Sequence, residues 1–301
     1  MRAVVYEQYG GPEVLEITEV DEPHARPGTV RIAVHAGGVN AADWKIRSGA
    51  FSGGKPLAAP AIVGLDAAGV VDEVGEGVTG VEVGDRVFGS GRGTFAEHAV
   101  LTDWAPLPRH VSFAEGAATP VPMDTAVRVL EAVHASAGDT LVISGAAGGV
   151  GTVLIQLARA DGLIVIGTAS AANLEYVEAL GALATTYDEG WVERVRELAV
   201  AEVNVAADLA GAGVLPQLIE LTGDPSRVVT IADGRAAELG VRFTSGGGDK
   251  SAALQQASRL LDSGDLRVIV EQTFPLAQTP EAQRLSELGH VRGRAVVEID
   301  R

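Results

Sequence analysis

Residues 140–144, Thr-Leu-Val-Ile-Ser, run directly into Gly145-Ala146-Ala147-Gly148-Gly149-Val150-Gly151, and a stretch with Leu154, Ile155, Leu157 and Ala158 on one helical face follows. No other part of the chain constrains the fold as strongly. A continuous apolar run suits a strand buried on both faces of a parallel sheet. A glycine turn between such a strand and a helix is how α/β domains bring backbone N–H groups to a dinucleotide. Here the glycines stand at 145, 148 and 151, and Ala147 replaces the middle glycine of the commoner G-x-G-x-x-G. The physics survives the change. Ala147 and Gly148 are small enough for close backbone approach to a pyrophosphate, Gly149 and Val150 lie where a helix N-terminus offers free donors, and Gly151 allows close helix–strand packing. A tight turn with no ligand is the plainer reading; the position of the triad inside a βαβ unit argues against it.

The corner after the next strand, expected at 163–167, reads Thr168-Ala169-Ser170-Ala171-Ala172-Asn173. NAD sites usually place an acid there for the ribose hydroxyls. None is present, so nothing repels a 2′-phosphate, and Ser170 and Asn173 can donate to it. NADPH is therefore expected ahead of NADH. One fact pulls the other way: no Lys or Arg occurs between Arg159 and Arg194, so the counter-charge must come from elsewhere in the fold. Further strands are expected at 205–209 and 227–231, with helices at 113–118, 124–134, 152–160 and 173–180. The backbone of Leu209, Ala210, Ile231 and Ala232 would then lie at the carboxyl ends of the sheet, where ligands bind.

Residues 1 to about 110 have a different texture. Residues 30–34 alternate apolar and polar side chains, 69–75 and 84–89 are short stretches bounded by glycine, and glycine and proline recur between them. Short strands with frequent turns indicate a mostly β domain, barrel-like in outline. A helix at 252–262, a strand near 266–270, a helix at 280–288 and a strand at 295–299 complete the chain. The fold class expected is α/β, a doubly wound parallel sheet plus a mostly β domain, divided at 1–112, 113–245 and 246–301.

Charge and composition remove several function classes. With 23 basic against 40 acidic residues the net charge is −17, so counterion release cannot drive binding to nucleic acid, and anionic membrane surfaces are disfavoured. No apolar run approaches the ~18 residues of a membrane span. There are no cysteines, which removes disulfides, thiolate nucleophiles and cysteine-ligated zinc. The N-terminus meets a charge too early for a signal peptide, and a cytoplasmic location is expected.

Several further segments carry a resemblance: Gly11-Pro12-Glu13-Val14-Leu15, residues 38–49 (Gly-Val-Asn-Ala-Ala-Asp-Trp-Lys-Ile-Arg-Ser-Gly), Gly64-Leu65-Asp66-Ala67-Ala68-Gly69, Gly84-Asp85-Arg86-Val87-Phe88, the glycine loop, and Gly289-His290-Val291-Arg292-Gly293-Arg294. In this order and spacing the chain resembles the zinc-independent, quinone oxidoreductase-like branch of the medium-chain dehydrogenase/reductase superfamily over nearly its whole length. The resemblance implies a GroES-like β domain built from both chain ends around a Rossmann domain, with NADPH and a small quinone or enone as ligands. It also implies a homodimer formed through residues 241–244. Zinc-dependent relatives carry Cys where this chain has Asn40 and Gly-His-Glu where it has Gly64-Leu65-Asp66. The remaining donors do not assemble a zinc site, and the six histidines (24, 35, 98, 110, 134 and 290) are scattered. No metal is expected.

Roles follow residue by residue, each beside a plainer reading. Asn40 donates to a substrate carbonyl or fixes the nicotinamide ribose, or else forms an Asx-type turn. Asp43 anchors that loop, a ribose hydroxyl or a proton, or caps the helix that follows. Trp44, Phe51 and Met123 line an apolar pocket or pack in the core; relatives often place Tyr where Phe51 stands, which removes one hydroxyl donor. Thr125 matches a threonine near the nicotinamide, or caps its helix, and Tyr187 matches a tyrosine near the adenosine phosphate, or is a half-buried strand-end residue. Arg292 and Arg294 are candidate cations, or part of a solvated turn. Without a Lewis acid, a conjugated acceptor suits hydride transfer better than a simple carbonyl. Two other functions remain open: a discrete enoyl-thioester reductase, and a non-catalytic dinucleotide-binding structural or sensor protein.

Overall fold

Among the described residues, six parallel strands form the sheet of the unit spanning residues 122–249, in the order Leu183–Thr186, Ile164–Ala169, Thr140–Ser144, Val205–Asp208, Val228–Thr230, Arg242–Phe243. The computed structural model describes residues 1–289 and 291–300; His290 lies outside them. The chain enters this sheet in the middle, steps outward twice on one side, then returns to fill the other. That reversal creates a topological switch point between Thr140–Ser144 and Val205–Asp208, with ligand space beyond the carboxyl ends of the strands. Burial explains the apolar run that announced it. Leu141, Val142 and Ile143 are all 0% exposed, and removing each from water contributes about 1.5–3 kcal/mol.

Helix Gly149–Ala160 packs Val153, Leu154, Ile155, Leu157 and Ala158 against the sheet. It begins three residues before the expected 152, because Gly148 itself is the N-cap. Strand Ile164–Ala169 likewise extends two residues past 167. Helices Trp191–Leu198 and Leu215–Thr222, absent from the sequence reading, cover the sheet with Trp191, Val192, Val195, Leu215 and Leu218. Phe243, on the outermost strand, is exposed.

The second unit comprises residues 1–121 and the residues from 250 onward. Its larger sheet runs Val270–Pro275, Arg294–Glu298, Val30–Gly38, Asp66–Val74, Arg86–Gly91, His98–Pro106, and the last strand also pairs with Val30–Gly38, closing a ring. Arg2–Tyr6, Glu16–Glu19 and Ala61–Ile62 form a small sheet of their own. Val30, Ile32, Val34, Leu101 and Val297 meet in one core cluster, so this is a mostly β domain with a core of its own. One expectation is corrected. Residues 266–269 are not a strand; the strand is Val270–Pro275, and most of its side chains are exposed. Leu266 and Val268 are buried in irregular backbone, so their apolar alternation reported burial and not pairing. The true strand lies at the sheet's edge and carries polar residues, which hid it.

Candidate functional site

The glycine loop is built from three glycines with three different tasks. Gly145 turns the chain with φ +82. A Cβ on Gly151 would lie 2.5 Å from the carbonyl oxygens of both Gly145 and Ala146, so only glycine lets the helix sit this close. Gly148 differs from both. Its φ of −75 suits any residue, and a Cβ there would meet only Gly145 O, at 3.5 Å. Open space, not backbone strain, surrounds it. Ala146 and Ala147 are buried, while Gly148, Gly149 and Val150 are half-buried. The first-turn amides of the helix have no partners inside it, and its dipole adds partial positive charge. Thr152 locks this turn: its Oγ1 bonds Gly148 O at 2.9 Å and meets Tyr176 OH at 2.7 Å.

At the neighbouring corner, the side chain of Ala169 is 4% exposed because the strand includes it. Ser170 is the first residue beyond the strand, and its hydroxyl makes no cap bond to the short turn Ala171–Asn173. Asn173 is half-buried. Strand register sets Thr186 beside Ala169, which brings Tyr187, 57% exposed, to the same corner. A cation arrives there that the local sequence does not offer. Arg194, from helix Trp191–Leu198, bonds Thr185 Oγ1 at 3.0 Å and Thr186 Oγ1 at 3.0 Å, and forms an ion pair with Asp188.

Two turns follow the strands on the other side of the switch point. Asp208, 0% exposed, ends one strand. Its Oδ1 accepts the amides of Ala210 at 3.2 Å and Gly211 at 3.0 Å, and its Oδ2 accepts the Thr230 hydroxyl at 2.8 Å. Thr230 Oγ1 in turn accepts the amides of Ala232 at 3.1 Å and Asp233 at 3.0 Å. The amides of Leu209 and Ile231 go to Ser144 O and Asp208 O. Leu209, Ile231 and Ala232 are half-buried and Ala210 is exposed. Thr125, on helix Pro120–Val133, is 6% exposed and accepts from Arg128 Nη2 at 3.3 Å; Arg128 also reaches Thr244 at 2.8 Å. Met123 on the same helix is 0% exposed.

In the β domain, Asn40, Asp43, Asp66 and Arg294 form a buried cluster. Helix Ala41–Arg47 starts at Asn40, whose backbone amide donates to Asp43 Oδ2 at 2.7 Å, the reciprocal half of a capping box. The Asn40 side chain is fully committed: Nδ2 donates to Asp66 Oδ2 at 3.0 Å and Gly38 O at 3.3 Å, and Oδ1 accepts from Arg294 Nη2 at 2.8 Å. Asp66 also accepts from Val121 N at 3.0 Å and Ser90 Oγ at 3.3 Å, with Arg294 at 3.8 Å. One guanidinium thus meets the Asn40 amide and the Asp66 carboxyl. Burial pushes Asp43 up to about 7, against the hydrogen bond from Asn40, and the charge of Asp66 adds to the rise. Burial likewise raises Asp66 to about 6, although Arg294 opposes it. Burial also lowers Arg294 from its usual range, although Asp66 and Asp43 oppose that. Asp43 Oδ1 and Trp44 Nε1 are buried without partners. Phe51 is 70% exposed on a surface turn. Arg292 is exposed, its amide on Glu271 at 2.7 Å.

Residues 26–109 match the alcohol dehydrogenase GroES-like domain, and residues 180–297 match the zinc-binding dehydrogenase family. The quinone oxidoreductase of pig (Sus scrofa) is 32% identical over 318 aligned positions, covering 97% of this chain and 95% of that protein. The chain belongs to the medium-chain dehydrogenase/reductase superfamily, in its quinone oxidoreductase-like branch. This medium-chain dehydrogenase/reductase is also 30% identical to the NADPH-dependent alkenal/one oxidoreductase of Arabidopsis thaliana over 317 positions, 99% of this chain and 79% of that one. Its match to rat (Rattus norvegicus) quinone oxidoreductase reaches 44% over 175 residues, or 56% of the chain. There it spans about half the relative's length, 53%. Among solved structures, Escherichia coli quinone oxidoreductase complexed with NADPH superimposes with a TM-score of 0.87 at 25% identity, covering 99% of this chain and 100% of that one.

Among the described residues of this medium-chain dehydrogenase/reductase, no three His, Cys, Asp or Glu side chains gather as a metal-holding group. No described helix is long and apolar enough to cross a membrane. Sequence reasoning missed Arg194, Asp208 and Thr230, and had Asp66 only as a landmark. Asp208 ends a strand and Thr230 ends the next, three residues before Asp233; a polar residue closing an otherwise apolar strand was the signal available.

Proposed function

We propose that the protein is a reductase that prefers NADPH to NADH and passes hydride, without zinc, to a quinone or to the β-carbon of an α,β-unsaturated carbonyl. The observation that carries this reading is the unoccluded space at Gly148, in front of a helix N-terminus, at the switch point of a parallel sheet. Similarity to quinone and alkenal/one oxidoreductases supports the substrate class. For the cofactor, the support is a corner at Thr168, Ala169 and Ser170 without an acid, the free Ser170 hydroxyl, Arg194 close by, and a relative whose structure is complexed with NADPH.

Gly148, Gly149 and Val150 would hold the pyrophosphate, with Gly145 and Ala147 shaping the loop. Ser170, Asn173 and Tyr187 would take the adenosine phosphate. Thr125, Leu209, Ala210, Ile231 and Ala232 would hold the nicotinamide half. When bound, the reduced nicotinamide supplies a hydride. The protein's part is to orient and to exclude water. Asn40 has no free amide proton for a substrate carbonyl, so its role here is to position Asp66 and Arg294. Burial raises Asp43 to about 7, and its Oδ1 bonds neither Asp66 nor Arg294, so this carboxyl would exchange a proton near neutral pH.

Zinc does not fit this donor set. At the positions where zinc enzymes place Cys and His stand an amide already shared between Asp66 and Arg294, and the side chain of Leu65. A guanidinium 3.8 Å from Asp66 supplies the local positive charge, and a dication beside it is repelled. The test is turnover of an unlabelled enone panel with stereospecifically deuterated NADPH in the presence of chelator. Label is expected at the β-carbon, from one prochiral hydrogen, with the rate unaffected by chelation. Label at a carbinol carbon, or loss of rate to the chelator, would sink the reading.

A further inference from the structure

We infer that Asp208 and Thr230 are positioning residues that act as one brace, setting the turns 209–211 and 231–233 so that the backbone of these two turns accepts hydrogen bonds from a ligand and donates none. The inference rests on the dinucleotide reading above and specifies what the nicotinamide half must offer: ribose hydroxyls and a carboxamide N–H, not a phosphate.

Register puts Asp208 between Ser144 on one neighbouring strand and Thr230 on the other. A buried carboxylate has acceptor sites only, and a hydroxyl has one proton and two lone pairs. The assignment of protons is therefore forced. Thr230 spends its proton on Asp208 at 2.8 Å and keeps both lone pairs for the amides of Ala232 and Asp233, while Asp208 Oδ1 takes those of Ala210 and Gly211. With Leu209 N on Ser144 O and Ile231 N on Asp208 O, every amide from 209 to 211 and from 231 to 233 is used within the protein. The carbonyls of Leu209, Ala210, Ile231 and Ala232 take no hydrogen bond among the described residues. The two turns also touch: a Cβ on Gly211 would lie 2.9 Å from that of Ala232. A change in one turn is therefore felt in the other.

The experiment measures Kd for NADPH and for 2′,5′-ADP, which lacks the nicotinamide half, on the full-length protein and on Asp208→Asn, Thr230→Val and Thr230→Ser. Thr230→Val orphans two amides and one carboxyl oxygen, and Asp208→Asn exchanges an acceptor for a donor. Both should weaken NADPH about tenfold or more while 2′,5′-ADP stays within about twofold, and Thr230→Ser should bind both like the parent. Unchanged NADPH binding, or an equal loss of both ligands, would overturn the brace. Retained 2′,5′-ADP binding also shows that a variant is folded. If the unmodified protein binds neither ligand, the dinucleotide reading fails, and this inference fails with it.

Discussion

The two sides of the switch point handle their backbone in opposite ways. Beyond Thr140–Ser144, the chain turns on Gly145 and opens a helix, leaving first-turn amides without internal partners. Beyond Val205–Asp208 and Val228–Thr230, two buried side chains collect four amides of the turns that follow, and backbone carbonyls take the other two. One side is built to donate and the other to accept. A dinucleotide is divided in the same sense, with anionic phosphates in its middle and hydroxyl and amide donors on its nicotinamide half. The contrast shows that glycine and buried acid solve the same problem, where the backbone polar groups of a turn should go, with opposite results for the ligand.

The contrast breaks most sharply at Gly148. Replacement by Val leaves φ and packing satisfied, since only Gly145 O lies near the added carbon. It fills the space in front of the free amides, so NADPH affinity should fall by on the order of a hundredfold while the unfolding temperature changes by no more than a few degrees. Gly151→Val should do the reverse and lose the fold, because its side chain collides with two carbonyls at 2.5 Å. Titration and thermal unfolding of both variants separate the two tasks.

A change of charge sharpens the donating side. Ser170→Asp adds an acid just beyond Ala169, where the strand ends. It should weaken NADPH relative to NADH by about tenfold, measured as the ratio of kcat/KM values. Ala169→Asp is the poorer test, since that side chain is buried and an unpaired carboxylate there costs stability.

The β domain supplies the control for buried acids. Asp208 is served by neutral donors alone, whereas Asp43 and Asp66 both lie in the field of one guanidinium, which pairs at 3.8 Å with Asp66. Both have folded-state values raised above their unfolded ones, to about 7 and about 6. Their contribution to stability is therefore fully present below pH ~4 and is lost as pH rises through 6 and 7. Asp43→Asn should flatten that slope, with a difference from the parent on the order of 2 kcal/mol between pH 4 and 8 in denaturant unfolding. A slope identical to the parent's would show that Asp43 does not titrate in this window.

What sequence made legible was local. The strand, the glycines and the helix after them are contiguous, and each carries its own signal: an apolar run, a φ that favours glycine, and spacing of 3.6. Residues 140–151 were readable for that reason, and so was the parallel sheet. The Asn40 role was not. Its amide is claimed by Asp66, 26 residues away, and by Arg294, 254 residues away, so no window of sequence could show that its protons were spent. Arg194 escaped for a similar reason: its corner is completed by register between Leu183–Thr186 and Ile164–Ala169.

The sequence by itself determined the class of fold, the place of the glycine turn before a helix N-terminus and the absence of the Cys and His that a zinc site of this superfamily needs. It could do so because periodicity, backbone conformation and ligand chemistry are properties of residues and their near neighbours. The tertiary structure decided which polar groups remain for a ligand. Hydrogen bonds are exclusive, and a donor's availability depends on whatever the fold sets opposite it. Asp208 and Thr230 stand 22 residues apart in the chain and 2.8 Å apart in space, and only that distance makes the backbone of their two turns an acceptor.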